Sequence, residues 1–335
     1  MKKFTAFFVA ILFTAGVTFA QNNQATVSQE IDDSEVDIEQ IGSNNQADAS
    51  QSLGNDNMFI DILQDGSANE AVVSQQYGQW HWADVEQAGT GNQLNLLQDN
   101  TSTRAEVTQE GSGNFADIFQ RNYLFSFGDY SSSVLLLQDG DDNEAMVSSD
   151  GFGNMVNVVQ EGDDNVASAA QDGSYNEASI EQFWAGDDHT QVQEGDNNYS
   201  EVRAFAGQNT GEQIQTGDGN QSQLNQSGGF DATILQDGDY HNARLRQAGG
   251  SGSTALINQY GEGNSVGADQ QGSGNVLNVT QDGEGNVAGS NWWSDPGLYQ
   301  NGNFNSIDLI QDGQYNSASV YQSGDNNSAT VNQSN

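Results

Sequence analysis

A glutamine returns about every eleven residues along this chain, and that spacing restricts the possible folds more than any other feature. The unit reads Q-x-G-x-x-N-x-h-x-h-x, where h is small or apolar. Units open at Gln29, Gln40, Gln51, Gln64, Gln75, Gln87, Gln98, Gln109, Gln120 and Gln138, then at Ser149, Gln160, Gln171, Gln182, Gln193 and Ala204. They continue at Gln215, Gln226, Gln236, Gln247, Gln259, Gln270, Gln281, Gln300, Gln311 and Gln322, and Gln333 opens a final short one. A fixed period kept over almost a whole chain is the signature of a repeat architecture.

The h positions identify the element. They hold pairs such as Ala71 and Val73, Leu94 and Leu96, Ala116 and Ile118, Val156 and Val158, and Ile307 and Leu309. Polar residues such as Glu70, Ser74, Asp117, Asn157 and Asp308 alternate with them. Strict alternation predicts a strand with one buried face, whereas a helix would need a period near 3.6. After each glutamine comes x-G-x-x-N. The turn glycines are Gly66, Gly111, Gly140, Gly162, Gly173, Gly195, Gly217, Gly238, Gly272, Gly283, Gly313 and Gly324. Glycine supplies the positive φ of a tight reversal, and asparagine tolerates it. Each unit is therefore a strand of about seven residues plus one tight turn.

Consecutive strands could pair as hairpins or face one another across a thin core. Hairpins would need a second layer to cover the apolar face, and no helix or other pattern exists to supply it. The spacing favours an all-β, two-sided parallel β-solenoid with a cross-β arrangement. It would have about thirteen 22-residue coils, each with two strands and two tight turns, over roughly 60 Å. Side chains one coil apart then stack, with Gln138, Gln160 and Gln182 in one column and Gln171 and Gln193 in another.

By parity the glutamines and asparagines share the buried face with the h residues. An unpaired buried amide costs about 1–3 kcal/mol. At the strand spacing, stacked amides can bond to one another, as Asn/Gln ladders do in cross-β assemblies. The expected ladder includes Gln64, Asn69, Gln75, Gln109, Asn114, Gln138, Asn143, Gln160, Asn165, Gln171, Asn176 and Gln182, and later Gln281, Asn286, Gln311, Asn316, Gln322 and Asn327. It also fixes register, because a one-residue slip would bury acids. Interior-like units recur near both termini. Ala25, Val27 and Gln29 at one end, and Ala329, Val331 and Gln333 at the other, would then present strand edges able to recruit further strands.

Composition alone points elsewhere. The chain has 47 acids against 7 bases, a formal charge of −40, and one proline. Such polarity normally signals disorder, but the kept register argues against it. The acidity argues against nucleic acid as a partner. Acids such as Asp65, Glu110, Asp139 and Glu161 directly follow a unit glutamine; the first reading is solubility and charge repulsion between rods, and the second is a gatekeeper role against early association. Residues 1–20, with Lys2 and Lys3 before an apolar run ending at Ala20, read as a secretory signal peptide. No later stretch is apolar enough for stable membrane insertion, so residues 21–335 form one exported repeat domain. There is no cysteine, which excludes a disulfide scaffold and thiol chemistry.

Two interruptions, near residues 121–132 and 291–299, read as lengthened, aromatic-rich turns, with Pro296 in the second. His189, Gln191, Gly211 and Gln213 occupy h positions, so the solenoid is expected to be weakest there. No catalytic, cofactor or metal site emerges, and the chain is not expected to be an enzyme. His81, His189 and His241 are scattered, and the acids belong to the repeat. The period excludes calcium-roll nonapeptides, EF-hand spacing is absent, and the GSGN stretches lack the lysine and helix of a phosphate loop.

The pattern N-x-A-x-h-x-Q-x-G-x-x-N, seen as NEAVVSQQYG at Asn69–Gly78 and NEASIEQ at Asn176–Gln182, resembles the curlin repeat of curli subunits. The resemblance spans nearly the whole chain after residue 20. It implies a major subunit of extracellular amyloid fibres, exported through an outer-membrane channel, started by a nucleator subunit, and polymerised into biofilm matrix for adhesion. The chain departs from that family in carrying more repeats, which begin already at Asn23. Two alternatives remain: a monomeric secreted adhesin or binding rod that uses the aromatic interruptions, and the nucleator itself.

Overall fold

The computed structural model describes residues 22–54, 57–122, 132–289 and 297–335. The expected signal peptide, nearly all of the first aromatic stretch, and Trp292, Trp293 and Pro296 of the second lie outside the described residues. What is described is all β, in two units, Met1–Asp164 and Asn165–Asn335.

In the first unit, successive strands go alternately to two sheets. One sheet runs Gln24–Gln29, Gln46–Gly54, Glu70–Gly78, Gln93–Asn100, Phe115–Asn122 and Glu144–Asp150. The other runs Glu35–Ser43, Phe59–Ser67, Trp82–Thr90, Thr103–Ser112, Ser132–Asp139 and Met155–Glu161. Neighbours are parallel and paired unit for unit. Ala71 lies beside Leu94, Val73 beside Leu96 and Gln75 beside Gln98. This is the register that alternation requires, because the h residues and the glutamine then all face inward. Ile60, Ile62, Val85, Leu94, Val107 and Ile118 are buried. Each such side chain contributes about 1.5–3 kcal/mol on full burial.

The second unit repeats the arrangement. One sheet runs Val166–Asp172, Asp188–Glu194, Thr210–Thr216, Asp231–Asp239, Thr254–Glu262, Val276–Glu284, Ser306–Gln314 and Ser328–Ser334. The other runs Glu177–Gln182, Tyr199–Ala204, Gln221–Ser227, Asn242–Ala248 and Ser265–Gln271, and ends in two broken strands. Leu224, Leu245 and Val266 from one sheet meet Ile234, Ile257 and Val279 from the other in a single core. The two units taken together hold about thirteen coils, as the spacing predicts.

The second interruption differs from the sequence expectation. It does not lengthen a turn. Val287–Ala288 pairs with Ser265 and Val266, and Leu298–Asn301 pairs with Ala268 to Gln271 of the same strand. The interruption therefore falls in mid-strand, between two described segments that pair with one strand. Repeat spacing cannot distinguish the two cases, since both lengthen a unit by the same amount.

Parallel stacking also places like charges in rows. On the outer face of the first unit, Asp37, Asp61, Asp84 and Glu106 lie on successive strands. Partial burial, followed by the neighbouring carboxylates, raises the pKa of Asp61 and of Asp84, and Arg104 opposes the rise at Asp84.

Candidate functional site: the amide ladders and their open ends

Each glutamine reaches inward from the last core position of its strand. In the first unit Gln29 donates through Nε2 to Gln51 Oε1, Gln51 to Gln75, Gln75 to Gln98 and Gln98 to Gln120, at 2.8–3.1 Å. In the facing sheet Gln40 donates to Gln64, Gln64 to Gln87, Gln87 to Gln109, Gln109 to Gln138 and Gln138 to Gln160. The second unit runs its ladder from Gln171 through Gln193, Gln215, Gln236, Gln259, Gln281 and Gln311 to Gln333. Its facing ladder runs from Gln226 through Gln247, Gln270 and Gln300 to Gln322.

The second N–H of each amide crosses the core. Gln64 donates to the Gln46 carbonyl, Gln75 to Phe59, Gln193 to Glu177 and Gln281 to Ser265. One side chain thus bonds the next coil and the opposite sheet together. At rungs such as Gln64, Gln75, Gln193 and Gln281 the amide is buried, yet both N–H groups are used, so the desolvation cost is met.

The asparagines form the expected amide ladder only in part, with Asn143 donating to Asn114 Oδ1 and Asn316 to Asn286 Oδ1. Their Oδ1 mainly accepts a backbone N–H one coil on: Asn69 from Asn92, Asn114 from Asn143, Asn176 from Asn198 and Asn286 from Asn316. Nδ2 donates to a glycine carbonyl one coil on, as from Asn114 to Gly140, Asn143 to Gly162, Asn176 to Gly195 and Asn286 to Gly313. Asn327 accepts no such bond but donates to Asn305 and Ser323. These residues clamp turn to turn, because at the turn the nearest groups are backbone. Asn165 likewise accepts from the backbone of Asp187.

All twelve expected turn glycines have φ between +100° and +134°. At Gly66 a Cβ would stand 1.9 Å from the Gly89 carbonyl oxygen, so the close stacking of turns requires glycine as much as φ does. A second left-handed residue follows two positions later, such as Asp142, Asp164, Tyr175 or Asn197. The glycine or asparagine often found there, as in GSGN, is its sequence signal. Turn acids also have structural partners: Asp141 N–H donates to Asp163, and Asp196 N–H to Asp218.

The polar patch expected to be weakest is internally bonded. Ala204 takes a glutamine position in the ladder between Gln182 and Gln226. His189, from the facing sheet, spans that gap. Its Nδ1 accepts from Gln182 at 3.0 Å, and its Nε2–H donates to Gln226 at 2.8 Å. Burial lowers its pKa to about 4, so the ring is neutral as this bonding requires. Gly211 makes room, since a Cβ there would stand 2.5 Å from His189 Cδ2. Gln191 and Gln213 form a short additional rung at 2.9 Å, and Ser200 donates to Gln213.

The ends complete the site. Ala25 is exposed, and Val27, Gln29, Ala329, Val331 and Gln333 are partly so. Among the described residues Gln24–Gln29 pairs on one side only, as does Ser328–Ser334. Both ladders have the same polarity. Among the described residues, the Oε1 of Gln29 and of Gln40 accepts nothing. At the other end Gln322 and Gln333 each spend one N–H, on Ser306 and Ser317, and keep one.

No group of acids, histidines or cysteines able to hold a metal ion occurs among the described residues. No helix there is long and apolar enough to cross a membrane.

A family profile described as Curlin associated repeat matches residues 32–60, 131–162, 153–183, 162–190, 231–261, 250–283 and 302–334, together more than half of the chain. No curated protein matches the sequence.

Proposed function

The chain belongs to the curlin-repeat family, and on that premise we propose that it is a structural subunit of extracellular curli-type fibres that grow by head-to-tail addition of copies. The observation that carries the proposal is the polarity of the ladders. One end offers amide N–H donors at Gln322 and Gln333, and the other offers amide carbonyls at Gln29 and Gln40. Unlike ends that complement one another make a heterologous contact, and repeated along the direction of strand pairing such a contact extends into an open filament. Unpaired strand edges supply the backbone half of the same joint.

Removal of residues 1–20 on export would leave the first strand free to dock. An outer-membrane export channel and a nucleator subunit are the partners implied by the family, and biofilm matrix and adhesion the roles. Purified residues 21–335 are expected to form filaments with a meridional repeat of about 4.8 Å, and preformed fragments should abolish the lag. A protein that stays monomeric at high concentration, even when seeded, overturns the proposal.

A further inference from the structure

The joint between copies can be located more closely, on the premise of the head-to-tail reading above. Each coil places one strand in each sheet. The described coils end on a half coil. Ser328–Ser334 pairs with Ser306–Gln314, while in the facing sheet the last strand is still Val320–Ser323, paired with Leu298–Asn301. At the other end Gln24–Gln29 likewise precedes Glu35–Ser43, which lies in the facing sheet. Both ends are therefore stepped by one strand.

We propose that an incoming copy seats Gln24–Gln29 on the broken strand Ser317–Ala318 and Val320–Ser323, and Glu35–Ser43 on Ser328–Ser334. After Ser328–Ser334, the next strand of an uninterrupted coil would lie in the facing sheet, over Val320–Ser323. The first strand of the incoming copy takes that place. Both sheets carry the same repeat, so neither strand meets a foreign partner. The register follows from the ladders. Gln322 donates to Gln29 of the incoming copy, and Gln333 to its Gln40. Ala25 then stacks on Ala318, Val27 on Val320, Val36 on Ala329 and Ile38 on Val331. Every column is continued by a residue of its own kind.

The rival seating places Gln24–Gln29 on Ser328–Ser334. The step at each end then adds rather than cancels. Val320–Ser323 and the incoming Glu35–Ser43 would be separated by one missing strand, about 4.8 Å of additional gap. Gln322 and Gln40 would both lose their ladder partner. The half-coil step therefore selects the first seating.

The chain has no cysteine, so introduced pairs report the joint directly. In-register neighbours on adjacent strands lie within the Cα separation that a disulfide spans. Ser28, Tyr321, Asn332 and Glu39 all face outward and are exposed. Residues 21–335 carrying Ser28→Cys with Tyr321→Cys, and separately Glu39→Cys with Asn332→Cys, should give a ladder of covalent multimers when their filaments are oxidised. Ser28→Cys with Asn332→Cys should remain monomeric on a denaturing gel. Filaments of each variant are imaged before oxidation. Filaments in which only the Ser28–Asn332 pair cross-links overturn this seating and leave the fibre reading intact. Wild-type protein that forms no filaments overturns both. The two expected pairs lie in different sheets, so a folding defect in one leaves the other to decide.

Discussion

The glutamine position is empty of glutamine at Ser149 and at Ala204, and the two sites differ. At Ser149 the gap stays open. Among the described residues the buried Ser149 hydroxyl has no hydrogen-bond partner, and Gln120, one coil earlier, makes a side-chain donation only across the core, to Arg104. At Ala204 the gap is closed by His189 from the other sheet. The small alanine leaves the room, Gly211 leaves more, and the imidazole offers an acceptor and a donor on opposite sides of one ring. The comparison teaches that a coil can form with one rung missing, and that a side chain from the facing sheet can take the place of a rung when it offers both an acceptor and a donor.

Removing the bridge should produce the largest effect. His189→Ala would strand a donor on Gln182 and an acceptor on Gln226 and leave a void, at a cost of about 3 kcal/mol or more. Hydrogen exchange of Glu177–Gln182 and Gln221–Ser227 reads it. Adding Ala204→Gln to that variant should recover most of the loss, because the vacated space admits the ordinary rung. Ala204→Gln alone should not stabilise, since the ring already occupies the place. A double-mutant cycle without coupling would break the comparison.

Acid provides a middle-sized test. The folded pKa of His189, about 4, lies below its ordinary value of 6.5. The stability from the neutral ring is therefore complete above pH 6.5 and is lost as pH falls towards 4, about 3 kcal/mol in all. Asp187 works in the opposite sense. It stands in the asparagine column, where Asn209 donates to Oδ1 and Oδ2 is buried without a partner. Burial raises its pKa from 3.8 to about 6, against the bonds from Asn209. Its charge is a penalty above pH 6 that is relieved as pH falls to 3.8. Relative to wild type, Asp187→Asn should steepen the loss of protection between pH 6.5 and 4. His189→Leu should reverse the slope there. Parallel profiles for all three proteins would rule out the bonding described for His189 and Asp187.

The smallest expected effect is a gain. Ser149→Gln should restore a rung that accepts the spare N–H of Gln120 and add about 1 kcal/mol, measured as the denaturation midpoint. A loss of stability would mean that the Ser149 gap has repacked and that the two empty positions are alike.

Much of this was legible in the residues. The alternation of Val73 and Gln75 with Val72 and Ser74 sets which side chains are buried, and it holds at strand after strand. The glutamine columns followed from the period, since equal spacing forces like residues to stack. The asparagine column is an amide ladder only in part, because most of its partners are backbone groups one coil away, which a side-chain pattern does not reveal. The mid-strand position of the second interruption was hidden for a related reason: length does not show where a chain rejoins its sheet.

By itself, the sequence determined the strand, the turn, the buried face and the register, because each depends on neighbours along the chain or on a fixed repeat of it. Only the tertiary structure decided what crosses the core. The second N–H of each glutamine, the imidazole of His189 and the step at each end depend on how one sheet faces the other. That facing is a distance between residues which no period in the sequence encodes.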